Sequence, residues 1–492
     1  MPPRHPFFCR AAALAPALFL VTALSAFGAE RSLLLLHTND IHDHVRPGAD
    51  GVGGLAHLSG YVAGLRAERG DVLLLDAGDV TEKGDLVAFV SQSRVTWEAL
   101  AALRYDATTI GNHDFSHGLD HLKECDNLAG GGLVVCANLH EKRFPASKIV
   151  EVNGMKVGVI GMTVPRENNS QVMGQKDGEE AVAAEAARLR PDCDLLVLTA
   201  HAGTRDCAAL ARKIPDINVF VAGHTHELLQ QPVTVPETGA LVVSAGSNAR
   251  WVGRAELAVD TEKKTARLVR GEVVTLSHDT VPCDKPLLDR ILAAERELCP
   301  EAARVVARSD RTLTVQEVAR LAAAGMREKS GADIAFCNTN QIMRNPLPAG
   351  EVTVNSLFLT GGQRGHRLLR VPLTGAQVAA YTAGLFREKK GLSEAAGVAA
   401  FRPGDTEAEW MERNGLQPGR AYSVVMPEME WETRFLKVCG KQLAAEGGVP
   451  AVEPCGFSFT DALTEHVEAL VRNGGTLDAH AKLPSRRAKE AA

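Results

Sequence analysis

Histidines, aspartates and one asparagine recur in short clusters along the first half of the chain. The residues in these clusters that could bind metal ions are Asp40, His42, Asp79, Asn112, His201, His224 and His226. Their carboxylate, amide and imidazole groups suffice for two cations that share one bridging carboxylate, and the imidazoles favour Zn, Mn, Fe or Co over Mg. Two such ions about 3.5–4 Å apart can deprotonate a water molecule and polarise a phosphoryl oxygen. The residue types therefore predict two-metal hydrolytic chemistry.

The spacing of these clusters places them at one edge of a predicted sheet. Apolar segments that are typical of buried strands precede them at residues 33–36, 72–75, 195–198 and 219–221, and Asn112 lies in a glycine-bearing turn. Helical patterns between the strands predict an α/β layered domain. The carboxyl ends of strands in an open α/β sheet border one crevice, so we expect the clusters to meet there. One Asp-x-His pair would more often be a structural loop feature, but five clusters in this order favour a metal site.

The composition limits the classes of partner. The 492 residues are 45% hydrophobic and 23% charged, which is typical of a globular protein and excludes a collagen or a multi-span membrane protein. There are 54 basic and 60 acidic side chains, a net charge of −6, and only 5% aromatic residues. Because a basic footprint is missing, we expect no nucleic acid polymer as partner. A small anionic substrate remains compatible, since metal ions supply local positive charge. The sequence leaves the oligomeric state open.

The N-terminal residues 1–29 have the pattern of a secretory signal peptide. Arg4 and Arg10 precede an apolar stretch over residues 11–27, which ends beside the small residues Gly28 and Ala29. The alternative is an uncleaved membrane anchor, but the stretch is short for a bilayer span. We therefore expect a protein exported to the periplasm or the extracellular space, with no stable membrane insertion after cleavage.

The chain has ten cysteines, of which Cys9 would leave with the signal peptide. Sequence alone leaves their connectivity open. Pairing of sequence neighbours would join Cys125 with Cys136, Cys193 with Cys207, Cys283 with Cys299 and Cys439 with Cys455, and would leave Cys337 over.

The mature chain divides into two predicted domains. Residues 30–275 form the α/β domain, which ends in a predicted hairpin, and residues 276–310 form a linker with a helix framed by prolines. Residues 311–485 form a second unit of mixed helices and strands. Its predicted elements are a helix over 315–329, strands over 334–336 and 421–426, and a helix over 460–472.

The order of the clusters resembles the calcineurin-like metallophosphoesterases, and the residues around them resemble the 5′-nucleotidase family, including its 2′,3′-cyclic-nucleotide 2′-phosphodiesterase group. The motifs that carry the resemblance are LHTNDIH over 36–42, DAGD over 76–79, GNHDF over 111–115, TAH over 199–201 and GHTH over 223–226. The resemblance implies an N-terminal four-layer α/β/β/α metallophosphoesterase sandwich. Weaker matches over 330–338 and 347–353 imply a separate α+β C-terminal domain that binds substrate.

The resemblance also implies roles for individual residues. Asp40, His42 and His226 would hold the first metal, Asn112, His201 and His224 the second, and Asp79 would bridge them. Metal-bound hydroxide would attack phosphorus in line with the leaving group. His113 would face the substrate phosphate and donate a proton to the leaving oxygen, and Arg344 would contact the phosphate through its guanidinium.

One departure from the family pattern affects the predicted role of His113. Many 5′-nucleotidases pair the equivalent of His113 with an Asp three residues later, where this chain has Ser116. We expect Asp114 or His117 to orient His113 instead, or proton donation to matter less.

The second unit lacks the family's usual glycine-rich segments. Phe401 with Trp431 or Phe435 could clamp a base, and the basic stretch over 361–370 could bind an anion, although core packing and a solvated loop are the plainer interpretations. We expect an exported two-metal phosphoesterase that hydrolyses nucleotides. The alternatives are a 2′,3′-cyclic-nucleotide phosphodiesterase, another phosphoester or thiosulfonate-ester hydrolase, or a catalytically silent metal-binding protein.

Overall fold

A computed structural model describes residues 30–164, 169–387, 393–445 and 448–478. The predicted signal peptide, Cys9 and the last residues of the predicted second domain lie outside these ranges. Within them, none of the helices combines the length and the apolar character that crossing a bilayer requires.

The first unit contains eleven strands and six helices within the described ranges. The strands are β1 (Glu30–Thr38), β2 (Val72–Asp76), β3 (Ala107–Thr108), β4 (Ser147–Val152), β5 (Met155–Thr163), β6 (Leu195–His201), β7 (Val219–Ala222), β8 (Val233–Thr234), β9 (Leu241–Val243), β10 (Trp251–Asp260) and β11 (Thr265–Thr275). The helices are α1 (Leu55–Glu68), α2 (Leu86–Val90), α3 (Arg94–Leu103), α4 (Gly118–Leu128), α5 (Gln175–Leu189) and α6 (Thr204–Lys213).

Two sheets pack face to face between two layers of helices. One sheet has the order β11-β10-β1-β2-β3 and the other β4-β5-β6-β7-β9-β8. Leu33 and Leu35 of β1 pack with Val157 and Val159 of β5 between the sheets, whereas Leu34 packs on the side of α1 and α3. Helices α5 and α6 cover the outer face of the second sheet. Strands covered on both faces need apolar residues at every position, which is why they read as continuous hydrophobic runs. The predicted four-layer architecture is confirmed.

The local predictions for the first unit hold with one exception. The hairpin that closes the domain is the antiparallel pair of β10 and β11. The sequence also predicts a short strand at the apolar pair Val134 and Val135, but this pair forms no strand, and Val134 makes only an isolated parallel bridge to Thr108.

The linker helix α7 (Lys285–Leu298) is present as predicted. The carboxylate of Asp284 accepts a hydrogen bond from the backbone N–H of Leu287 at 3.1 Å, which caps its first turn. Leu287 and Ile291 are buried against the helical layer of the first unit. The helix therefore belongs to the packed body rather than to an open tether.

The second unit follows the linker helix. Its strands are β12 (Val305–Ser309), β13 (Ile334–Asn338), β14 (Gly350–Thr353), β15 (Arg367–Thr374), β16 (Ser393–Ala396), β17 (Ala421–Pro427) and β18 (Glu453–Ser458). Its helices are α8 (Val315–Ser330), α9 (Val354–Gly365), α10 (Gly375–Arg387), α11 (Glu407–Arg413), α12 (Glu428–Glu430), α13 (Leu436–Ala445) and α14 (Phe459–Arg472), with a π-helical turn at Trp431–Phe435. The sheet order is β16-β13-β17-β15-β18, with α8 and α14 on one face and α10 and α13 on the other.

Buried contacts join the two units beside the predicted site. The amide nitrogen of Asn355 donates to the carboxylate of Asp85 at 2.8 Å, and the Asn355 side-chain oxygen accepts from the backbone N–H of Leu86 at 2.8 Å. The rings of Phe89 and Phe358 lie 5.2 Å apart. These contacts place the start of α9 against the loop that precedes α2.

The predicted cysteine pairing is wrong. The structure has no disulfide at any of the nine described cysteines, which are Cys125, Cys136, Cys193, Cys207, Cys283, Cys299, Cys337, Cys439 and Cys455. Several of these thiols have separate local partners: Cys136 donates to the Asn138 side-chain oxygen, and Cys207 faces the carbonyl of Ala202. Most of the thiols are buried, where cysteine packs as a small apolar side chain. Nearness in sequence therefore did not indicate nearness of sulfur atoms.

Candidate metal centre and active site

The loops that follow the parallel strands bring the predicted ligands together. Asp40 and His42 follow β1, Asp79 follows β2, and His201 is the last residue of β6. The loop after β7 carries His224 and His226, and the loop after β3 carries Asn112 and His113. The convergence at the carboxyl ends of the strands is the one expected for an α/β sheet.

Two groups of potential ligand atoms overlap at this point. Asp40, His42 and His226 form one group, and Asp40, Asp79 and His201 form the other, with the ligand atoms of each group within 4.8 Å of one another. The Asp79 Oδ2 atom lies 3.2 Å from His201 Nε2 and 3.6 Å from His42 Nε2. The Asp40 Oδ1 atom lies 3.3 Å from His226 Nε2. Asp40 thus belongs to both groups, and the Asp79 carboxylate lies between His201 and His42.

Backbone carbonyls orient two of the histidine rings. The Nδ1 atom of His201 lies 2.9 Å from the carbonyl oxygen of Ala77, and that of His42 lies 3.3 Å from the carbonyl oxygen of Thr81. A carbonyl can only accept, so Nδ1–H donates and Nε2 carries the lone pair. Both Nε2 atoms face the carboxylates, which is the arrangement of histidines that bind a metal.

Unpaired buried atoms test whether a cation fits this site. The side-chain oxygen and nitrogen of Asn112 are buried and have no hydrogen-bond partner among the described residues, and the buried Nε2 atom of His201 faces the Asp79 carboxylate at 3.2 Å. Buried polar atoms are normally paired. The Asn112 oxygen and the His201 nitrogen are both metal-ligand atoms, so the donor set fits a bound divalent cation.

The backbone of the ligand loops is strained. The φ values are 53° at Asp40, 51° at His42, 56° at Asp79, 72° at His224 and 57° at His226. These values lie in the left-handed region that residues other than glycine rarely adopt. Each such residue costs of order 1–3 kcal/mol and persists only where its surroundings enforce it. Five of the seven predicted ligands share this conformation, which concentrates strain at the centre.

Asp114 holds the ligand loops rather than the reacting groups. Its carboxylate accepts hydrogen bonds from the backbone N–H of Asp79 at 2.9 Å, of Gly111 at 2.7 Å and of Thr81 at 3.0 Å. Burial, with the nearby Asp79 charge, raises the pKa of Asp114 to about 7. Gly111 has no room for a side chain, because a Cβ there would lie 2.1 Å from the Asp79 carboxylate.

Charges around Asp79 favour its ionised form. Burial opposes ionisation of this carboxyl, but His201, His42 and His113 outweigh it and hold the pKa of Asp79 well below its usual value. A carboxylate that stays charged in a buried position is suited to a cation between two histidines.

His113 has a partner that the sequence did not indicate. Its Nδ1 atom contacts the carboxylate of Glu82, and its backbone N–H donates to Asp79 at 2.7 Å. The expected partners do not serve this role, because Asp114 faces the backbone and the His117 ring packs 5.1 Å from that of His121. Glu82 lies outside the recognised motifs, so only its position three residues after Asp79 could have drawn attention to it.

A cleft of about 250 Å³ lies beside the ligands and is lined by both units. The first unit contributes His42, His226 and Lys83, and the second contributes Arg344 and Arg364. The Lys83 Nζ atom lies 3.1 Å from His42 Nε2. Burial, partly opposed by Asp79, lowers the pKa of Lys83 to about 8, and Arg344 and Arg364 add to the lowering. The cleft is therefore cationic and suited to an anionic ligand.

The basic stretch over 361–370 divides between this cleft and other positions. Arg364 at the end of α9 lines the cleft. Arg367 pairs with Glu428 at 2.6 Å, and Arg370 bonds the carbonyl of Ser330. The sequence did not indicate which arginine of this stretch reaches the site, because the turn into β15 sets their directions.

The rings that could have clamped a base lie away from the cleft, in agreement with the plainer interpretation of core packing. Trp431 and Phe435 stack on each other with ring centroids 4.8 Å apart and are buried in the core of the second unit. Phe401 stacks on Trp410 at 5.9 Å. Among the described residues, Phe358 is the phenyl ring that lines the cleft. The proposed pair of rings is therefore a core feature in this structure.

Comparisons with known proteins agree with this geometry. Residues 33–228 match the family model described as calcineurin-like phosphoesterase. A snake venom 5′-nucleotidase from Crotalus adamanteus is 30% identical over 239 residues, which are 44% of this chain and 40% of that protein. A 5′-nucleotidase from Vibrio parahaemolyticus is 25% identical over 431 residues, covering 71% of this chain and 74% of the relative. The chain thus spans well under half of the venom enzyme's length.

The fold of both units has a counterpart among solved structures. The 5′-nucleotidase precursor from Thermus thermophilus matches with a TM-score of 0.70 and 24% identity, over 89% of this chain and 97% of that one. At this identity the likeness shows the fold. The chain therefore contains a calcineurin-like metallophosphoesterase domain, followed by a separate C-terminal domain in the arrangement of 5′-nucleotidase structures.

Proposed function

We propose that this protein is a metal-dependent phosphoric ester hydrolase that acts on nucleotides, as 5′-nucleotidases do. The observation that carries the proposal is the convergence of two overlapping groups of ligand atoms beside a cationic cleft formed by both units. The named relatives support the substrate class, because the venom and Vibrio proteins are 5′-nucleotidases.

The proposed ligand assignment keeps the first three-residue group of the structure and takes the second set from the sequence motifs. Asp40, His42 and His226 would hold one cation, and Asn112, His201 and His224 would hold the other. The Asp79 carboxylate lies 3.2 Å from His201 and 3.6 Å from His42, where it would serve both. Zn, Mn, Fe or Co ions bound there would polarise the phosphoryl group and lower the pKa of a water molecule.

The remaining roles belong to side chains that line or adjoin the cleft. Arg344, Arg364 and Lys83 bind and orient the anionic phosphate, for which guanidinium groups provide paired donors. His113 donates a proton to the leaving oxygen and stabilises charge on the phosphate. Because the pocket is small and the chain carries net negative charge, the substrate is a small nucleotide rather than a nucleic acid polymer.

We also propose export, with the protein acting in the periplasm or outside the cell. The support is the signal-like pattern of residues 1–29. A nucleotidase in that compartment would release nucleosides and phosphate that a cell can take up.

A second candidate is hydrolysis of a phosphoester without a base. The observation that favours it is the burial of Trp431 and Phe435 away from the cleft, since a ring clamp is the usual way to hold a nucleobase. Sugar phosphates or aryl phosphates would need only the cations and the arginines.

The test is release of phosphate or nucleoside from 5′-AMP, 2′,3′-cyclic AMP, UDP-glucose and an aryl phosphate by protein loaded with Mn or Zn. Chelator-sensitive turnover of 5′-AMP would establish the proposal, and preference for the cyclic diester would change its subtype. Turnover of the aryl phosphate alone would favour the second candidate. Metal binding without turnover of any ester would overturn the enzyme proposal and favour a metal-binding protein.

A further inference from the structure

The loop that carries Glu82 is rigidly built against the first ligand loop. Glu82 and Lys83 have φ values of 71° and 83°, and the backbone N–H of Glu82 donates to the buried Asp43 carboxylate at 2.6 Å. The next residue is Gly84, where a Cβ would lie 2.0 Å from the Asp43 carbonyl carbon. The loop therefore has little freedom, and the direction of the Glu82 side chain is set by its backbone.

Asp43 is itself anchored from a second element. Its carboxylate accepts from the hydroxyls of Ser93 at 2.7 Å and of Thr96 on α3. Two hydroxyl donors thus hold this carboxylate, which in turn holds the backbone N–H of Glu82. Strained residues that their surroundings hold firmly often cluster at functional sites.

The Glu82 side chain ends at His113. Its carboxylate contacts the Nδ1 atom of the imidazole, while the backbone N–H of His113 is tied to Asp79. A carboxylate that accepts from Nδ1–H fixes the rotation of the ring and leaves Nε2 as the nitrogen available to a substrate. The His113 ring is also edge-on to that of His42, with centroids 5.2 Å apart, so it lies beside the ligand cluster.

The neighbouring residues leave this role to Glu82. Asp114 accepts only from backbone and hydroxyl groups of the ligand loops, among them the hydroxyl of Thr81. Ser116 is exposed, and its backbone N–H donates to the carbonyl of His113 at 3.0 Å. Burial opposes the charge on Glu82, but His113, Arg364 and Lys83 together lower its pKa, which keeps the carboxylate an acceptor.

We infer that Glu82 is the positioning residue for His113, and that it acts on catalysis only through the orientation of that imidazole. The inference rests on the proposed hydrolysis of phosphoesters. It predicts that Glu82 matters most for substrates whose leaving oxygen needs a proton.

The kinetic test compares two substrates in E82A, E82Q and E82D. The leaving group of 5′-AMP is a strongly basic alkoxide, which leaves poorly unless it is protonated. The leaving group of p-nitrophenyl phosphate is a weakly basic phenolate, which needs little protonation. We expect E82A to lower kcat for 5′-AMP by at least about tenfold with little change in KM, and to lower kcat for the aryl ester less. E82D should recover part of the loss, because it keeps the carboxylate. Glu68→Gln, at an exposed position on α1, is the matched control.

A double-mutant cycle locates the effect. In the background of His113→Ala, replacing Glu82 should cost little more, because the ring that it orients is gone. Losses that multiply, or equal losses on both esters, would overturn the positioning role. Metal content should be the same in wild type and E82A, and a fall in metal content would assign Glu82 to the metal centre instead.

A structural measurement tests the orientation of His113 independently of activity. If the wild type hydrolyses neither ester, the proposed function is refuted, but the inference about Glu82 is still decided by this measurement. NMR of histidine-labelled protein, with His113 assigned by its absence in H113Q, should show a Nδ1–H proton that exchanges slowly in wild type and in Glu68→Gln. We expect E82A to lose that signal and E82D to keep it. Persistence of the signal in E82A would show that another group holds His113 and would overturn the inference.

Discussion

The two units contribute to the cleft in different ways. The first unit supplies two almost completely buried carboxylates, Asp40 at 0% and Asp79 at 2% exposure, on strained loops at strand ends, and the more exposed imidazole of His226 at 40%. The second unit supplies Arg344, which is exposed, and Arg364 at the end of α9. The proposed cation ligands thus all come from one unit, whereas contact with an anionic ligand needs both. Binding of metal and binding of substrate should therefore be separable by mutation.

The largest effect is expected from Asp79→Asn. This change removes a buried negative charge between His42 and His201, so the affinity for divalent cations should fall. Because metal stabilisation of the transition state is worth several kcal/mol, turnover should drop by at least about a hundredfold. Metal analysis together with turnover of the preferred ester measures both effects.

Asp76→Asn is the matched control for Asp79→Asn. Asp76 accepts from the Thr108 hydroxyl and the Gly78 N–H through one oxygen, at 2.8 Å each, and from the Thr38 hydroxyl through the other. An asparagine can keep these contacts if Thr38 becomes the acceptor. Equal losses of metal in both variants would contradict a specific role for Asp79.

His113→Ala should lower turnover by at least about tenfold, within the range that general acid–base catalysis supplies. The ring adjoins the ligand cluster without belonging to either three-residue group, so metal content should remain that of the wild type. Unchanged turnover of 5′-AMP would refute the catalytic role. A loss of bound metal would place His113 among the metal ligands, and the effect on turnover could then not be assigned to proton donation.

Arg344→Ala tests the contribution of the second unit. Loss of a charge-assisted hydrogen bond of about 1.5–3 kcal/mol should raise KM by about tenfold or more while metal content stays constant. Arg367→Ala is the control, because Arg367 is 77% exposed and pairs with Glu428 away from the cleft. Similar KM values for both variants would show that the cations of the second unit act only through long-range charge.

The smallest expected effect is on the stability of the second unit, away from the metal ligands. Glu317 completes a capping box with Thr314 at the start of α8, and hydrogen bonding from Arg311, opposed by burial, lowers the pKa of Glu317 to about 2. A lowered carboxyl pKa stabilises the folded state fully above the ordinary value near 4.5 and progressively less as the pH falls towards 2.

Glu317→Gln should therefore lower the free energy of unfolding by about 0.5–1 kcal/mol at pH 7, and by less at pH 3. Urea unfolding at both pH values measures the difference, with the exposed Glu297→Gln as control. Metal content should not change. A larger deficit at pH 3 than at pH 7 would contradict the assigned pKa direction.

The architecture of the first unit was predictable because its strands are covered on both faces. Leu33 to Leu36 are all buried, so the segment reads as an uninterrupted apolar run, and the polar residue types that follow it mark the carboxyl end of the strand. Periodicity and residue type therefore suffice to place Asp40 and His42 at the site. The same logic located His201 and His226.

The partners of the proposed catalytic residues could not be predicted in the same way. Glu82 and Lys83 reach the site because two consecutive residues adopt positive φ, and nothing in their residue types requires that conformation. Sequence alone left open whether Phe401 with Trp431 or Phe435 clamps a base, although core packing was the plainer interpretation and is the one the structure shows. The presence of an aromatic residue in the sequence does not show whether its ring points into a core or into a cleft. The sheet and the π-helical turn set that direction.

The free thiols have a practical consequence for handling the protein. A fold without sulfur–sulfur cross-links among the described cysteines needs no oxidising compartment, so production in a reducing cytoplasm and storage with dithiothreitol should leave it intact. Cys283 is exposed while most of the other described thiols are buried. A maleimide dye should therefore react there first and report from the junction just before α7, with no cysteine having to be engineered.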